Sequence, residues 1–194
     1  MLGKGSFGDV YLVKDLFPNS GKLYAMKILN KRPKHDENWL RYIQTERDVL
    51  ASSTSPFIVK LHFAFQTQAK LFLVLDFCPG GDLETMISEE KKPFSEDKAK
   101  FITAEILMAI KDLHARDIIY RDLKPDNVVI DKQGHMRLID FGMAKMNVNL
   151  SQKGAKTFCG SIKYLAPEML RKMGHGQALD WYLLGVLFYE MIVG

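Results

Sequence analysis

The chain has 194 residues, 47% of them hydrophobic and 26% charged, with a formal net charge of +4. That length suffices for a sizeable core and for one or two domains, and the composition is that of a globular chain rather than a disordered one. Lysines and arginines are scattered, so no nucleic-acid partner is expected.

The two cysteines, Cys78 and Cys159, lie far apart without metal-ligand spacing, which points to a reduced, cytoplasmic protein. The most apolar run, 181–193, contains Glu190 and is too short to span a bilayer. It reads as a buried helix, and no membrane contact is expected within this segment. No leader peptide is read, because Met1 runs straight into a glycine-rich loop.

That loop is Gly3-Lys4-Gly5-Ser6-Phe7-Gly8, followed by Asp9-Val10-Tyr11-Leu12-Val13. Glycines leading into a strand let backbone N–H groups approach phosphates closely, although a plain hairpin turn has the same pattern. A dinucleotide-binding loop would need a helix next, and the residues here read as strand. Leu23-Tyr24-Ala25-Met26-Lys27-Ile28-Leu29 is a second strand. On pattern alone, Lys27 is a solvent-facing lysine at an alternate position. Glu37–Ser52 reads as a helix with Trp39, Ile43, Glu46 and Leu50 on one face. Glu46 therefore sits in an apolar stripe, where a carboxylate is costly without a cation, and Lys27 is the candidate.

A break at Ser52-Ser53-Thr54-Ser55-Pro56 precedes two expected strands, 58–65 and 71–75. Asp76-Phe77-Cys78-Pro79-Gly80-Gly81 then reads as a hinge between two lobes. A long amphipathic helix is expected within 93–116, capped at Ser95, with Ile102, Ile106, Ala109, Ile110 and Leu113 on its inner face. It delivers the chain to Tyr120-Arg121-Asp122-Leu123-Lys124-Pro125-Asp126-Asn127. Val128-Val129-Ile130, a turn at 131–134 and Met136-Arg137-Leu138-Ile139 form a hairpin, ending at Asp140-Phe141-Gly142. Asn127 and Asp140 are thus brought together at its open end, two hard oxygen donors suited to Mg²⁺. A polar stretch follows, to Thr157-Phe158-Cys159-Gly160-Ser161 and Tyr164-Leu165-Ala166-Pro167-Glu168.

Taken together in this order, these motifs resemble a eukaryotic protein kinase catalytic domain over essentially the whole chain. Lys124 is similar to the serine/threonine type. Tyr120 and Thr157-Phe158-Cys159-Gly160 are similar to the AGC group, the cyclic-nucleotide-dependent and C-type kinases and their relatives. The resemblance implies an α+β, bilobal fold: a small antiparallel β-sheet lobe at 1–75, a hinge at 76–81 and a mainly helical, incomplete lobe at 82–194. It further implies that the chain is a piece of a longer protein, lacking later helices and the tail of the group.

What the resemblance implies about the site follows residue by residue. ATP lies between the lobes, with Gly3, Gly5 and Gly8 over its phosphates and Leu2, Lys4, Ser6 and Phe7 around them. Val10, Ala25 and Val129 enclose the adenine, the backbone from Asp76 to Cys78 bonds it, and Leu75 is the gatekeeper. Lys27, held by Glu46, grips the phosphates; Asn127 and Asp140 hold Mg²⁺. Asp122 orients the acceptor hydroxyl and Lys124 neutralises charge on the transferred group. Asp82, which also borders the nucleotide, joins Asp126 and Glu190 in reading basic residues of a protein substrate. Met143 is similar to kinases that prefer serine. Thr157 is the expected phosphosite of an upstream activating kinase, with Arg121 and Lys145 as candidate partners. Leu50, Leu61, Tyr120 and Phe141 resemble a hydrophobic column anchored by Asp180. Ile162-Lys163 departs from the usual Pro-Glu of the group. Two other classes share some of these features: an inactive nucleotide-binding scaffold, and a kinase of small molecules. Filled catalytic positions argue against the first, and the segment ending in Ala-Pro-Glu against the second.

Overall fold

A computed structural model describes residues 1–5, 8–18, 20–31, 37–148, 162–171 and 173–194. Five strands form one antiparallel sheet in the order β1-β2-β3-β5-β4: β1 Gly3–Gly5, β2 Gly8–Lys14, β3 Leu23–Asn30, β4 Leu61–Gln66 and β5 Lys70–Asp76. Strand alternation puts Lys27 and Leu29 of β3 on the same face, and both are buried. Helix α1, Glu37–Ser52, turns its Trp39, Ile43, Glu46 and Leu50 face inward, as its helical spacing requires.

The expected strand 58–65 is shorter and later than the sequence suggested. Strand β4 begins at Leu61, and its register against β5 shifts between Leu61 and Phe63. Residues before it pair elsewhere: Leu138 donates to the Phe57 carbonyl at 2.9 Å, and Val59 donates to the Leu138 carbonyl at 3.1 Å. The sheet is thereby laced to the hairpin that carries the site. Strand β5 is one residue longer at each end than the expected 71–75.

Beyond β5 the chain is mainly helical. Helix α2, Leu83–Glu90, is capped by Asp82, whose Oδ1 accepts the Thr85 N–H at 2.7 Å. Helix α3, Glu96–His114, is capped by Ser95 and buries Ile102, Ile106, Ala109, Ile110 and Leu113. The hairpin follows as β6, Val128–Ile130, and β7, Met136–Leu138. Glu105 of α3 fastens it, accepting the Met136 N–H at 2.8 Å and lying 2.6 Å from His135 Nδ1. Arg137 bridges Asp131 at 3.0 Å and Asp76 at 3.2 Å, while His62 Nε2 lies 2.6 Å from the other oxygen of Asp76. A single turn, α4 at Pro167–Leu170, precedes α5 at Ala178–Val193. The inner residues of α5, including Leu183, Leu187 and Met191, close the core against α3.

Candidate active site

A cleft of about 630 Å³ opens between the sheet and the hairpin. From the sheet it is lined by Leu2, Gly3, Lys4 and Gly8, and by Val10, Ala25 and Lys27. Leu75 and Asp76 at the end of β5, and Cys78 and Asp82 beyond it, also border the cleft. The opposite wall carries Asp122, Lys124, Asp126, Asn127, Val129 and Asp140. Gly5 is paired with Gly8 at the β1–β2 end. Ser6, Phe7 and Thr157 lie outside the described residues.

The glycines are not equivalent. Among the described residues, a Cβ on Gly3 would meet no atom within 4 Å. A Cβ on Gly8 would fall 2.0 Å from the Ile28 carbonyl oxygen, so Gly8 is demanded by its close pairing with β3.

Lys27 Nζ lies 2.6 Å from Glu46 Oε1 and 3.5 Å from Asp140 Oδ1. Burial opposes the lysine's charge, but the two carboxylates outweigh it and hold its pKa above the ordinary lysine range. This resolves the pattern-level alternative: the alternate position of Lys27 faces the cleft and α1, where it meets the one acidic residue of the α1 stripe.

The loop after α3 is held from below. Asp180 accepts the backbone N–H of Tyr120 at 2.9 Å and of Arg121 at 2.8 Å. Tyr120 and Phe141 are fully buried, with ring centroids 5.3 Å apart, and Leu50 is buried with them; Leu61 is only partly covered. Pro125–Asn127 forms a single 3-10 turn that swings Asn127 back, so its Nδ2 donates to Asp122 Oδ2 at 2.9 Å and to the Asp122 carbonyl at 2.8 Å. Lys124 Nζ is 3.6 Å from Asp122 Oδ2.

Two carboxylates of the cleft are driven in opposite directions. Burial pushes Asp122 up, aided by Asp140 and resisted by Lys124 and Asn127. Burial also acts to raise Asp140, but Lys27, the Tyr42 hydroxyl and the Gly142 N–H prevail and hold it below the usual range. Such divergence suits a carboxylate that handles a proton beside one that stays charged.

The donor chemistry at the hairpin's open end fits Mg²⁺. Asn127 spends its amide N–H groups on Asp122, leaving its oxygen as a ligand, and Asp140 is a charged carboxylate. Two hard oxygens with water and phosphate completing the shell match the preference of that ion. No group of three or more His, Cys, Asp or Glu side chains suited to a metal occurs among the described residues.

Three residues escaped the sequence reading. Tyr42 lines the cleft and donates to Asp140 Oδ1 at 2.5 Å; its position one turn before Glu46 was the available signal. Tyr164 donates to Glu190. Glu84, on α2, is raised by burial and by Asp126, Glu190 and Asp82 together, with Lys163 opposing. Asp82, Asp126 and Glu190 thus belong to one acidic neighbourhood that also includes Glu84, although Glu190 lies outside the cleft proper.

This arrangement of sheet, helix, loop and hairpin defines the class: the chain belongs to the protein kinase family, whose domain pattern matches residues 1–194. Among curated proteins it is similar to ribosomal protein S6 kinase alpha-6 of Danio rerio, at 48% identity over 195 residues, covering 100% of this chain and 26% of the relative. It is likewise similar to ribosomal protein S6 kinase alpha-1 of Homo sapiens, at 47% identity with the same shares. The chain spans about a quarter of the length of these relatives. They agree with the serine/threonine, AGC-type resemblance drawn from Tyr120, Lys124 and the Thr157 motif. No described helix is long and apolar enough to cross a membrane.

Proposed function

We propose that the chain is the catalytic domain of a protein serine/threonine kinase, which transfers the γ-phosphoryl group of ATP to a hydroxyl of a protein substrate in an arginine-containing context. One observation carries most weight. Lys27 reaches Glu46 at 2.6 Å and Asp140 at 3.5 Å, and these three line the same cleft of about 630 Å³ as Asp122 and Asn127.

In this reading Val10, Ala25 and Val129 enclose the adenine, the backbone at Asp76 to Cys78 bonds its edge, and the β1–β2 turn covers the phosphates. Lys27 grips the α- and β-phosphates. Asn127 and Asp140 hold Mg²⁺, which when bound neutralises charge on the phosphate oxygens. Asp122 orients the acceptor hydroxyl and takes its proton. The acceptor oxygen bonds to the γ-phosphorus as the bond to the bridging oxygen breaks, and ADP departs. Lys124 offsets charge on the transferred group. The protein's contribution is positioning and electrostatics.

Asp82, Glu84, Asp126 and Glu190 favour basic residues on the substrate. Phosphorylation of Thr157 by an upstream kinase, which adds about −1.5 to −2 charge, regulates the domain. The setting is cytoplasmic.

The test is transfer from Mg-ATP to a serine peptide with upstream arginines, in the full-length protein, with Asp140→Asn as control. Transfer that the control abolishes is the expected result. Mg-ATP binding without transfer, even after phosphorylation of Thr157, would sink this reading in favour of a nucleotide-binding scaffold.

A further inference from the structure

Helix α1 reaches the cleft with two polar side chains. Glu46 meets Lys27, and Tyr42 lies four residues earlier on the same face. The Tyr42 hydroxyl donates to Asp140 Oδ1 at 2.5 Å. Lys27 Nζ is 3.5 Å from that same oxygen and 5.8 Å from the centre of the Tyr42 ring. Tyr42, Asp140, Lys27 and Glu46 therefore close a circuit through the helix.

The fit around the ring is tight. Tyr42 is 7% exposed. A Cβ on Gly142 would fall 1.9 Å from its Cζ, so the tyrosine fills the space that any other residue at 142 would need. The ring thus occupies a fixed seat beside the turn that carries Asp140.

A carboxylate has little torsional preference of its own about its last bond. Its orientation must come from its neighbours. Oδ1 of Asp140 receives the Tyr42 hydroxyl and the Gly142 N–H, the latter at 3.4 Å, with Lys27 close by. Among the described residues no hydrogen bond reaches Oδ2.

We propose that Tyr42 is a positioning residue for the metal ligand Asp140: by fixing Oδ1 it leaves Oδ2 directed to Mg²⁺, and it makes metal-dependent nucleotide binding depend on the seating of helix α1. The inference rests on the reading of Asp140 as a Mg²⁺ ligand. Its physical content is that the helix bearing Glu46 contacts both the phosphate-gripping lysine and the metal ligand. Displacing the helix breaks both contacts together.

The experiment uses the full-length protein and a non-hydrolysable ATP analogue, with affinity measured by calorimetry at rising Mg²⁺. Tyr42→Phe keeps the ring against Gly142 and removes only the hydroxyl. The expected outcome is metal-free affinity close to that of the parent and a loss of about tenfold in the enhancement by Mg²⁺, the scale found when a group supporting a metal ligand is removed. Gly142→Ala, which crowds the ring from the other side, is expected to lower the enhancement as well. Combined with Tyr42→Phe, it should add less than its separate effect, since both changes break one contact. A folded Tyr42→Phe protein with undiminished Mg²⁺ enhancement overturns the proposal, as does full additivity of the two changes. If the parent itself shows no metal-dependent affinity, the assignment of Asp140 falls, and this inference with it.

Discussion

Asp180 and Arg121 are joined by a hydrogen bond of 2.8 Å from the Arg121 backbone N–H to Asp180 Oδ1. Arg121 has φ +71°, a left-handed conformation that a residue bearing a Cβ holds only when its surroundings fix it. The second oxygen of Asp180 accepts the Tyr120 N–H at 2.9 Å and lies 2.7 Å from His114 Nε2. Asp180→Ala strands two buried donors, at about 1–3 kcal/mol for each. The expected outcome is a lower urea midpoint with an unchanged slope. A midpoint equal to that of the parent would show that Asp180 does not anchor the loop.

Asp122→Asn separates chemistry from binding. The amide keeps the shape beside Asn127 but cannot take a proton, so turnover should fall by about 10²–10⁴. Affinity for the ATP analogue should stay close to that of the parent. A parallel loss of affinity would mean that Asp122 acts on the nucleotide rather than on the acceptor.

His175 gives a pH dependence of definite sign. It is 4% exposed, and its Nε2 is buried without a hydrogen-bond partner among the described residues. Burial, with the cations of Arg121 and Lys145, holds its pKa below the ordinary value, against the opposing carboxylates of Glu168 and Asp180. Below about pH 6.5 the unfolded chain takes up a proton that the native state refuses, so this contribution to stability is present above that pH and is lost as pH falls. Unfolding midpoints measured from about pH 7.5 down to pH 5.5 should decline less steeply in His175→Gln than in the parent. Equal slopes would rule the residue out as a source of acid sensitivity.

Glu84 is the residue by which the proposed substrate groove is best tested. Glu84→Gln removes charge from a neighbourhood shared with Asp82, Asp126 and Glu190. It should lower kcat/KM for a peptide with upstream arginines by roughly tenfold or less, and the effect should shrink as salt rises, because Glu84 itself is exposed. Lys163→Gln should act in the opposite direction, since Lys163 opposes the acidic field. An arginine preference unaltered by both changes would place substrate selection elsewhere.

Much of this site was legible because its chemistry is local in sequence. The loop from Tyr120 to Asn127 and the hairpin from Val128 to Leu138 lie next to one another, so Asn127 and Asp140 had to meet. The partnership of Lys27 and Glu46 was legible for another reason: an acidic residue in an apolar stripe needs a cation. The pairing of residues 57–59 with β7 was not, since alternation reveals which residues face inward but not which strand lies alongside. Nor did the helical spacing that put Glu46 on the inner face of α1 reveal that the hydroxyl of Tyr42, one turn earlier, would meet Asp140. That contact depends on Gly142 admitting the ring, a matter of shape rather than pattern.

The guanidinium of Arg137 is a rigid plane gripping Asp131 on one side and Asp76 on the other, at 3.0 and 3.2 Å. Where β5 ends, the two walls of the cleft are therefore pinned together as at a joint. A swing about that joint would displace the backbone at Asp76, which borders the cleft, least, and the glycine-bearing β1–β2 end, at the far edge of the sheet, most.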